Sequence, residues 1–362
     1  MFKEYDPLTS DQLQIMNEKG EIINKKWMPG LSDGDIAESM KKMLYARTAD
    51  LQAVSYQRQG RMHTYPPNLG QEAIATAAGM VMSNEDWLVG AYRELAAWLA
   101  KGVTLEEVFL YWNGHEDGSR RSNAKRTLPV SVPISSQLLH AVGIGYSLKL
   151  KKEKAAVFTF CGDGGTSQGD FHEALNFAAV WKVPVIFIVQ NNGYAISYPV
   201  SKQTVSRNIA VKSVAYGMPG IQVDGNDILA SYSAFQYSKD YVLEGNGPVL
   251  IEAVTYRMGA HTTSDDPGRY RSKEEEDSWT ERDPVERVRK YLEGKGLWDK
   301  KTEDKLLAQY RDMVDTEFRK VENYKPYELT ECFDYMYADP PGDLNRQKVD
   351  YEKFLNRSEG SK

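Results

Sequence analysis

The sequence predicts an α/β protein built on a doubly wound, mostly parallel sheet, flanked by an N-terminal arm and C-terminal helices. Three observations carry that prediction. β-Branched and aromatic runs at 156–161 and 185–190 flank an apolar-periodic segment at 171–181, the pattern of a strand-helix-strand unit. The right-handed crossover makes its two strands parallel. The turn Gly162-Asp163-Gly164-Gly165 follows the first run and Asn191-Asn192 follows the second. Both leave the sheet at its carboxyl edge, where open α/β sheets bind ligands.

The whole chain fits that class. It has 362 residues, 41% hydrophobic and 27% charged, with a net charge of -6, enough for a buried core in one large or two modest domains. The amino terminus lacks both the basic-then-apolar layout of a secretory signal and the Arg-rich character of a transit peptide. The longest apolar run, 183–189, is broken by Pro184 and falls far short of a membrane span. A cytoplasmic, prokaryotic setting is the expectation. The negative balance argues against nucleic acid, and Lys149, Lys151, Lys152 and Lys154 read as a solvated helix end. Cys161 and Cys332 have no zinc or redox spacing and are expected as buried thiols.

Taken in order, residues 1–30 form an arm ending in the breaker Met28-Pro29-Gly30. Ser32 or Asp33 caps a helix through Arg58, with Ile36, Met40, Met43 and Leu44 on one stripe, and Gly60 stops it. A loop at 61–67 feeds a helix at 71–82. A short strand, 87–89, is followed at once by Tyr92-Arg93-Glu94, then by a helix predicted over 95–112. The polar stretch 113–126 has the composition of a flexible surface loop. Residues 130–137 lead into a helix at 138–150 that carries alanine and glycine.

Beyond the central unit the sequence predicts a helix at 205–216 and a strand at 220–223. Asp224-Gly225-Asn226-Asp227 reads as a turn and helix cap, and a strand at 248–256 ends the sheet. The segment 259–268 is rich in turn formers and reads as a mobile loop. Residues 272–362 are charged and mostly helical. The expected domains are the arm 1–30, an α/β domain 31–271 and a helical extension 272–362.

The 26 residues 165–190 separate Gly162-Asp163-Gly164 from Asn191-Asn192. Each piece alone is ordinary turn chemistry. Together, around a strand-helix-strand unit, they resemble the thiamin-diphosphate motif, GDG followed by NN. A nicotinamide fingerprint needs its third glycine where Ser167 stands. The residue types suit the chemistry, because magnesium takes hard oxygen ligands, typically one carboxylate plus phosphates. Gly164 and Gly165 let backbone N–H groups approach a phosphate at the start of the next helix.

The resemblance extends over nearly the whole chain, through Arg58-Gln59-Gly60-Arg61, Gly70-Gln71-Glu72-Ala73, Tyr92-Arg93, GDGGTSQGD at 162–170, QNNGYAIS at 190–197, VDGND at 223–227 and HTTSDDPGRYR from His261. These segments resemble the alpha subunits of the thiamin-diphosphate-dependent decarboxylating component of 2-oxo acid dehydrogenase complexes, nearest to the bacterial pyruvate type. The resemblance implies that Asp163, the Asn192 side chain and the Tyr194 carbonyl bind magnesium, and that Tyr92 and Arg93 hold the diphosphate. It further implies that backbone atoms of Val132 and Ile134 meet the aminopyrimidine, and that the catalytic His261 lies on a loop over the active-site mouth. Thr64 departs from the family, which usually shows an aromatic residue just before the position of Tyr65.

The implied reaction is oxidative decarboxylation of pyruvate with transfer of the acyl group to a lipoyl domain on a dihydrolipoamide acyltransferase core. A branched-chain 2-oxo acid is the alternative substrate. The implied cofactors are thiamin diphosphate and Mg, and the implied assembly has two alpha and two beta chains, the beta subunit supplying the carboxylate that activates the aminopyrimidine. Two rivals are a self-sufficient thiamin enzyme in which Glu72 supplies that carboxylate, and a non-catalytic subunit that retains the fold.

Overall fold

Five parallel strands form the central sheet of the computed structural model, which describes residues 2–9, 11–328 and 330–359. Met1, Ser10, Leu329 and 360–362, parts of the expected arm and extension, lie outside the described residues. The sheet consists of β1 (Trp87–Val89), β2 (Val157–Gly162), β3 (Val185–Asn191), β6 (Gly220–Asp224) and β7 (Val249–Val254) in the order β1-β2-β3-β7-β6. A small antiparallel hairpin joins β4 (Tyr194–Ala195) to β5 (Tyr198–Pro199). Gly162 pairs with Gln190, and Asn191 with Val254. The chain therefore leaves β2, β3 and β7 at nearly one level of the carboxyl edge.

The sheet is doubly wound. Val157, Cys161, Val185, Phe187, Val189 and Leu250 lie in one buried cluster with Leu138 and Val142 of α5 (Ser136–Lys151) and Phe171 and Leu175 of α6 (Gly169–Trp181). The alternate positions Phe158, Phe160, Ile186 and Ile188 are equally buried, on the face occupied by α2 (Glu72–Val81) and α8 (Ile228–Leu243). Burial on both faces is why these strands read as unbroken apolar runs. Both edges are covered, which removes open pairing surfaces. Leu13 of the arm bridges Val223, and Thr127 bridges Leu88.

Local signals explain the element starts. α1 (Asp33–Arg58) begins at Ser32, whose side chain accepts from the Asp35 N–H while Asp35 returns the bond, a capping box. Asp227 caps α8 by accepting from Leu229 and Ala230, and it also accepts from Ile15 and Met16 of the arm. The chain divides into two compact units, one up to Arg319 and one from Lys320. α9 (Lys273–Thr280) and α10 (Pro284–Gly294) belong to the first, and α11 (Lys300–Glu322) crosses the boundary. α12 (Glu331–Asp334) and α13 (Gly342–Glu359) belong to the second, where Phe333 lies 6.0 Å from Tyr351.

Several expectations are corrected. The helix predicted over 95–112 is two, α3 (Leu95–Ala100) and α4 (Leu105–Trp112). Gly102 at φ +89° turns the chain, and Thr104 opens the second helix with a capping box. The helix predicted over 205–216 survives only as a 3-10 turn, Ala210–Tyr216. The N–H groups of Ile209 and Ala210 donate to the buried Glu252 carboxylate, and the Asn208 amide donates to the Pro7 carbonyl, so distant acceptors replace helical ones. The stretch 113–126 is not simply a surface loop, since Arg121 is buried with its guanidinium over the Trp98 ring at 5.5 Å.

The segment 259–268, read as mobile, is tied at several points. Thr263 donates to the Tyr65 carbonyl, Arg271 to the Gly259 carbonyl, and the His261 N–H to Asp265. β7 is the last strand in sequence but lies inside the sheet, with β6 outside it. Cys161 is buried as expected, whereas Cys332 is exposed.

Candidate active site

At the carboxyl edge the segments after β1, β2, β3 and β7 surround a cavity of ≈ 240 Å³. Tyr92 and Arg93 reach it after β1, Asp163, Gly164 and Gly165 after β2, Asn192 and Tyr194 after β3, and Arg257 and His261 after β7. Ile134, just before α5, also lines it. Val132 does not line the cavity and is 49% exposed beside it.

Asp163 is buried, and burial pushes its carboxyl above the ordinary range. It accepts a 2.8 Å hydrogen bond from Gln203. The Asn192 amide donates to the Gln71 oxygen at 3.2 Å, which turns its own oxygen toward the Tyr194 N–H, 3.3 Å away. Asp163, Asn192 and Tyr194 all line the cavity, and the Tyr194 carbonyl accepts from Arg257 at 3.4 Å. Among the described residues no group of three or more His, Cys, Asp or Glu side chains could hold a metal ion.

The glycines have a packing reason. A Cβ on Gly164 would stand 2.6 Å from the Ala195 Cβ, and one on Gly165 would stand 2.6 Å from the Ser135 Oγ. The Gly165 carbonyl accepts from that hydroxyl at 2.8 Å. Two other residues at the rim adopt left-handed backbone, Ser135 at φ +69° and Ile196 at φ +57°. Such a conformation is a genuine outlier for a β-branched residue and persists only where its surroundings enforce it. Here the Ile196 carbonyl is held by Arg257 at 2.7 Å.

The basic side is more unusual. Arg93 and Arg257 are buried, and neither makes an ion pair with a carboxylate among the described residues. Arg93 donates to the carbonyls of Pro67 and His261 and lies over the Tyr92 ring at 5.2 Å. Burial pulls its pKa down to about 10. Both guanidiniums also approach the His261 Nδ1, Arg93 at 3.0 Å and Arg257 at 3.2 Å. Guanidinium nitrogens only donate, so Nδ1 is the acceptor and the ring proton sits on Nε2. Burial, then Arg93 and Arg257, pull the His261 pKa down to about 3. His261 is therefore neutral near pH 7.

Sequence reasoning missed part of this lining. Arg257 follows β7 as Arg93 follows β1, and the same edge argument would have found it. Gln71 and Gln190 leave the amide nitrogen of one and the oxygen of the other buried without partners. Glu94, buried beneath Arg93, accepts from Gln190 at 2.7 Å and from the Arg93 N–H at 3.1 Å, and burial raises its pKa to about 7. Glu72, the carboxylate of the self-sufficient rival, is gripped bidentately by Arg47 at 2.7 and 2.9 Å and lies outside the cavity lining.

A cavity at the carboxyl edge of a doubly wound sheet, lined by Asp163, Asn192 and Tyr194 together with two arginines that pair with no carboxylate among the described residues, agrees with the family match. The chain belongs to the dehydrogenase E1 component family, whose model matches residues 40–330. That family comprises thiamin-dependent 2-oxo acid dehydrogenases. The chain is 44% identical over 345 residues to the pyruvate dehydrogenase E1 component subunit alpha of Acholeplasma laidlawii, covering 94% of this chain and 99% of the relative. It is 40% identical to the protein of that name from Bacillus cereus and 39% identical to that of Staphylococcus aureus, each match covering 95% of this chain and 93% of the relative. Among the described residues no helix is long and apolar enough to cross a membrane.

The residues present fit thiamin diphosphate and a magnesium ion. Two unpaired guanidiniums and two side-chain-free backbone positions face the space where a diphosphate needs donors. One carboxylate with neutral oxygens is the donor chemistry magnesium accepts when phosphates complete its shell.

Proposed function

We propose that the chain is the alpha subunit of a pyruvate dehydrogenase E1 component. In this reading it catalyses the oxidative decarboxylation of pyruvate and the acetylation of a lipoyl group, with thiamin diphosphate and magnesium. The observation that carries the reading is the meeting of Asp163, Asn192 and Tyr194 with Arg93 and Arg257 around one cavity. Thiamin diphosphate, when bound, supplies the carbanion-stabilising chemistry.

The chain's own residues hold and orient. Asp163, the Asn192 side-chain oxygen and the Tyr194 carbonyl hold the magnesium ion. Arg93 and Arg257 would donate charge-assisted hydrogen bonds to the diphosphate, with Tyr92 and the N–H groups of Gly164 and Gly165. Backbone atoms of Ile134, which lines the cavity, and of Val132, outside that lining, would meet the aminopyrimidine. His261, neutral with its proton on Nε2, acts as a hydrogen-bond donor at the mouth and orients the acceptor group there. Its two arginine neighbours oppose an imidazolium, so orientation suits it better than acid catalysis by the charged form.

A beta subunit belongs to the same proposal. Asp163 and Glu94 are the carboxylates lining the cavity, and both are engaged, so the carboxylate that activates the aminopyrimidine comes from a second chain. Tyr146, Leu150, Phe177, Val180 and Trp181 on α5 and α6 are 37% to 69% exposed, with Tyr146 and Phe177 each 4.9 Å from the Trp181 ring. An apolar surface of this kind favours assembly. The assembly has two alpha and two beta chains and docks on a dihydrolipoamide acyltransferase core, in a bacterial cytoplasm.

The test is carbon dioxide release by the alpha-beta assembly from pyruvate against 3-methyl-2-oxobutanoate, alongside the alpha chain alone. Preference for pyruvate and silence of the alpha chain alone are the expected results. Preference for the branched acid overturns the substrate, and turnover by alpha alone overturns the need for beta.

A further inference from the structure

Asp163 stands at the end of β2, whereas Asn192 and Tyr194 stand at the end of β3. A donor set drawn from two strands needs a connection that fixes one end against the other. After Asn192 the chain turns at Gly193, φ +87°, runs through β4, Ile196 and β5, and enters α7 (Val200–Gln203). The Val200 N–H donates to the Gly193 carbonyl at 2.9 Å and closes this excursion. Its last helical residue, Gln203, returns to the far strand.

The Gln203 Nε2 donates to the Asp163 Oδ2 at 2.8 Å and to the Tyr198 carbonyl at 3.2 Å. Both partners are acceptors, which fixes the amide orientation on chemical grounds. Asp163 is thus gripped by the Gln203 side chain, which also holds the hairpin through the Tyr198 carbonyl. The hairpin has no slack over the turn, since Gly164 approaches Ala195 too closely for any Cβ.

We infer that Gln203 is a positioning residue: through the Asp163 carboxylate it holds the β2 and β3 ends at one spacing and so sets the affinity for magnesium and thiamin diphosphate, without touching either. The inference rests on the reading of the cavity given under Proposed function. Partners that orient a metal ligand are typically worth about 10–100-fold in affinity.

The experiment titrates thiamin diphosphate at saturating magnesium, and magnesium at saturating thiamin diphosphate, into the alpha-beta assembly by calorimetry. Gln203→Met keeps the stem length and removes the donor, and Gln203→Ala serves as a second variant should the first not fold. Either should lower both affinities by about 10–100-fold. The turnover number at saturating cofactor should stay at its wild-type value, and added magnesium should restore the rate at low cofactor. The exposed neighbour variant Lys202→Met should bind as the wild type does. Wild-type affinity in both Gln203 variants would overturn the positioning role. So would a fall in saturated turnover and in cofactor-free thermal midpoint matching the fall in affinity, because that describes general damage to the hairpin. Failure of the wild type to bind would instead overturn the reading of the cavity, and this inference with it.

Discussion

Arg47 and Arg93 are the same residue type in similar shelter, and they differ in what surrounds them. Arg47 is held by Glu72 on one side and by Asp283 on the other, every contact between 2.7 and 3.0 Å. Burial alone would lower its pKa, but the two carboxylates outweigh burial and raise it. Arg93 meets only carbonyls, a neutral imidazole nitrogen and an aromatic face. A buried cation without an anion costs free energy, and a chain that needed only stability would have paired it. The first arginine ties α1, α2 and the start of α10 together, while the second, in the function proposed above, meets an anion from outside the chain.

Substitutions test the difference between the two arginines. The largest effect is expected at Asp163. Asp163→Ala should abolish measurable binding of magnesium and thiamin diphosphate while the far-ultraviolet circular dichroism stays native, since the ion loses its one anionic protein ligand. Retained affinity would remove the acidic half of the site.

Arg47→Met should come next, on stability rather than binding. It leaves the buried Glu72 and the half-buried Asp283 without a countercharge, and breaking a buried pair costs about 3–5 kcal/mol. Urea denaturation should show this, with cofactor affinity of the folded protein unchanged. Arg93→Met should do the reverse. Losing charge-assisted hydrogen bonds to a diphosphate, about 1.5–3 kcal/mol, lowers affinity about 10–100-fold, with no loss of cofactor-free stability. Similar destabilisation by both variants would erase the distinction between the two arginines.

The smallest expected effect is a pH profile. Glu94 rises from 4.5 to about 7 on folding, so the unfolded chain releases this proton at lower pH than the folded chain does. The protonated folded group contributes stability below about 4.5, and that contribution is lost as pH rises through about 7. Glu94→Gln removes the dependence, so its stability relative to wild type should grow from pH 4.5 to pH 7. Urea midpoints that track each other across that range would show that Glu94 is not held neutral in the fold.

Much of the frame was legible because its signals are local. The strand 87–89 and the helix 33–58 were readable from apolar pattern and cap, and the structure has β1 and α1 at those positions. The spacing of Asp163 from Asn192 followed from one strand-helix-strand unit. What escaped is non-local. Glu252 draws the N–H groups of Ile209 and Ala210 away from a helix across 42 and 43 residues of sequence. Gln203 meets Asp163 across 40, through a hairpin whose turn depends on Arg257 holding the Ile196 carbonyl. The buried Arg121 had no signal in a stretch composed like a surface loop.

The most direct test of the whole account is a calorimetric titration of thiamin diphosphate into the assembled alpha and beta chains, with and without magnesium. Saturable binding that disappears when a chelator removes the ion, and that weakens in Arg93→Met but not in Arg47→Met, is the expected result. Binding indifferent to magnesium, or equal loss in the two arginine variants, would contradict it.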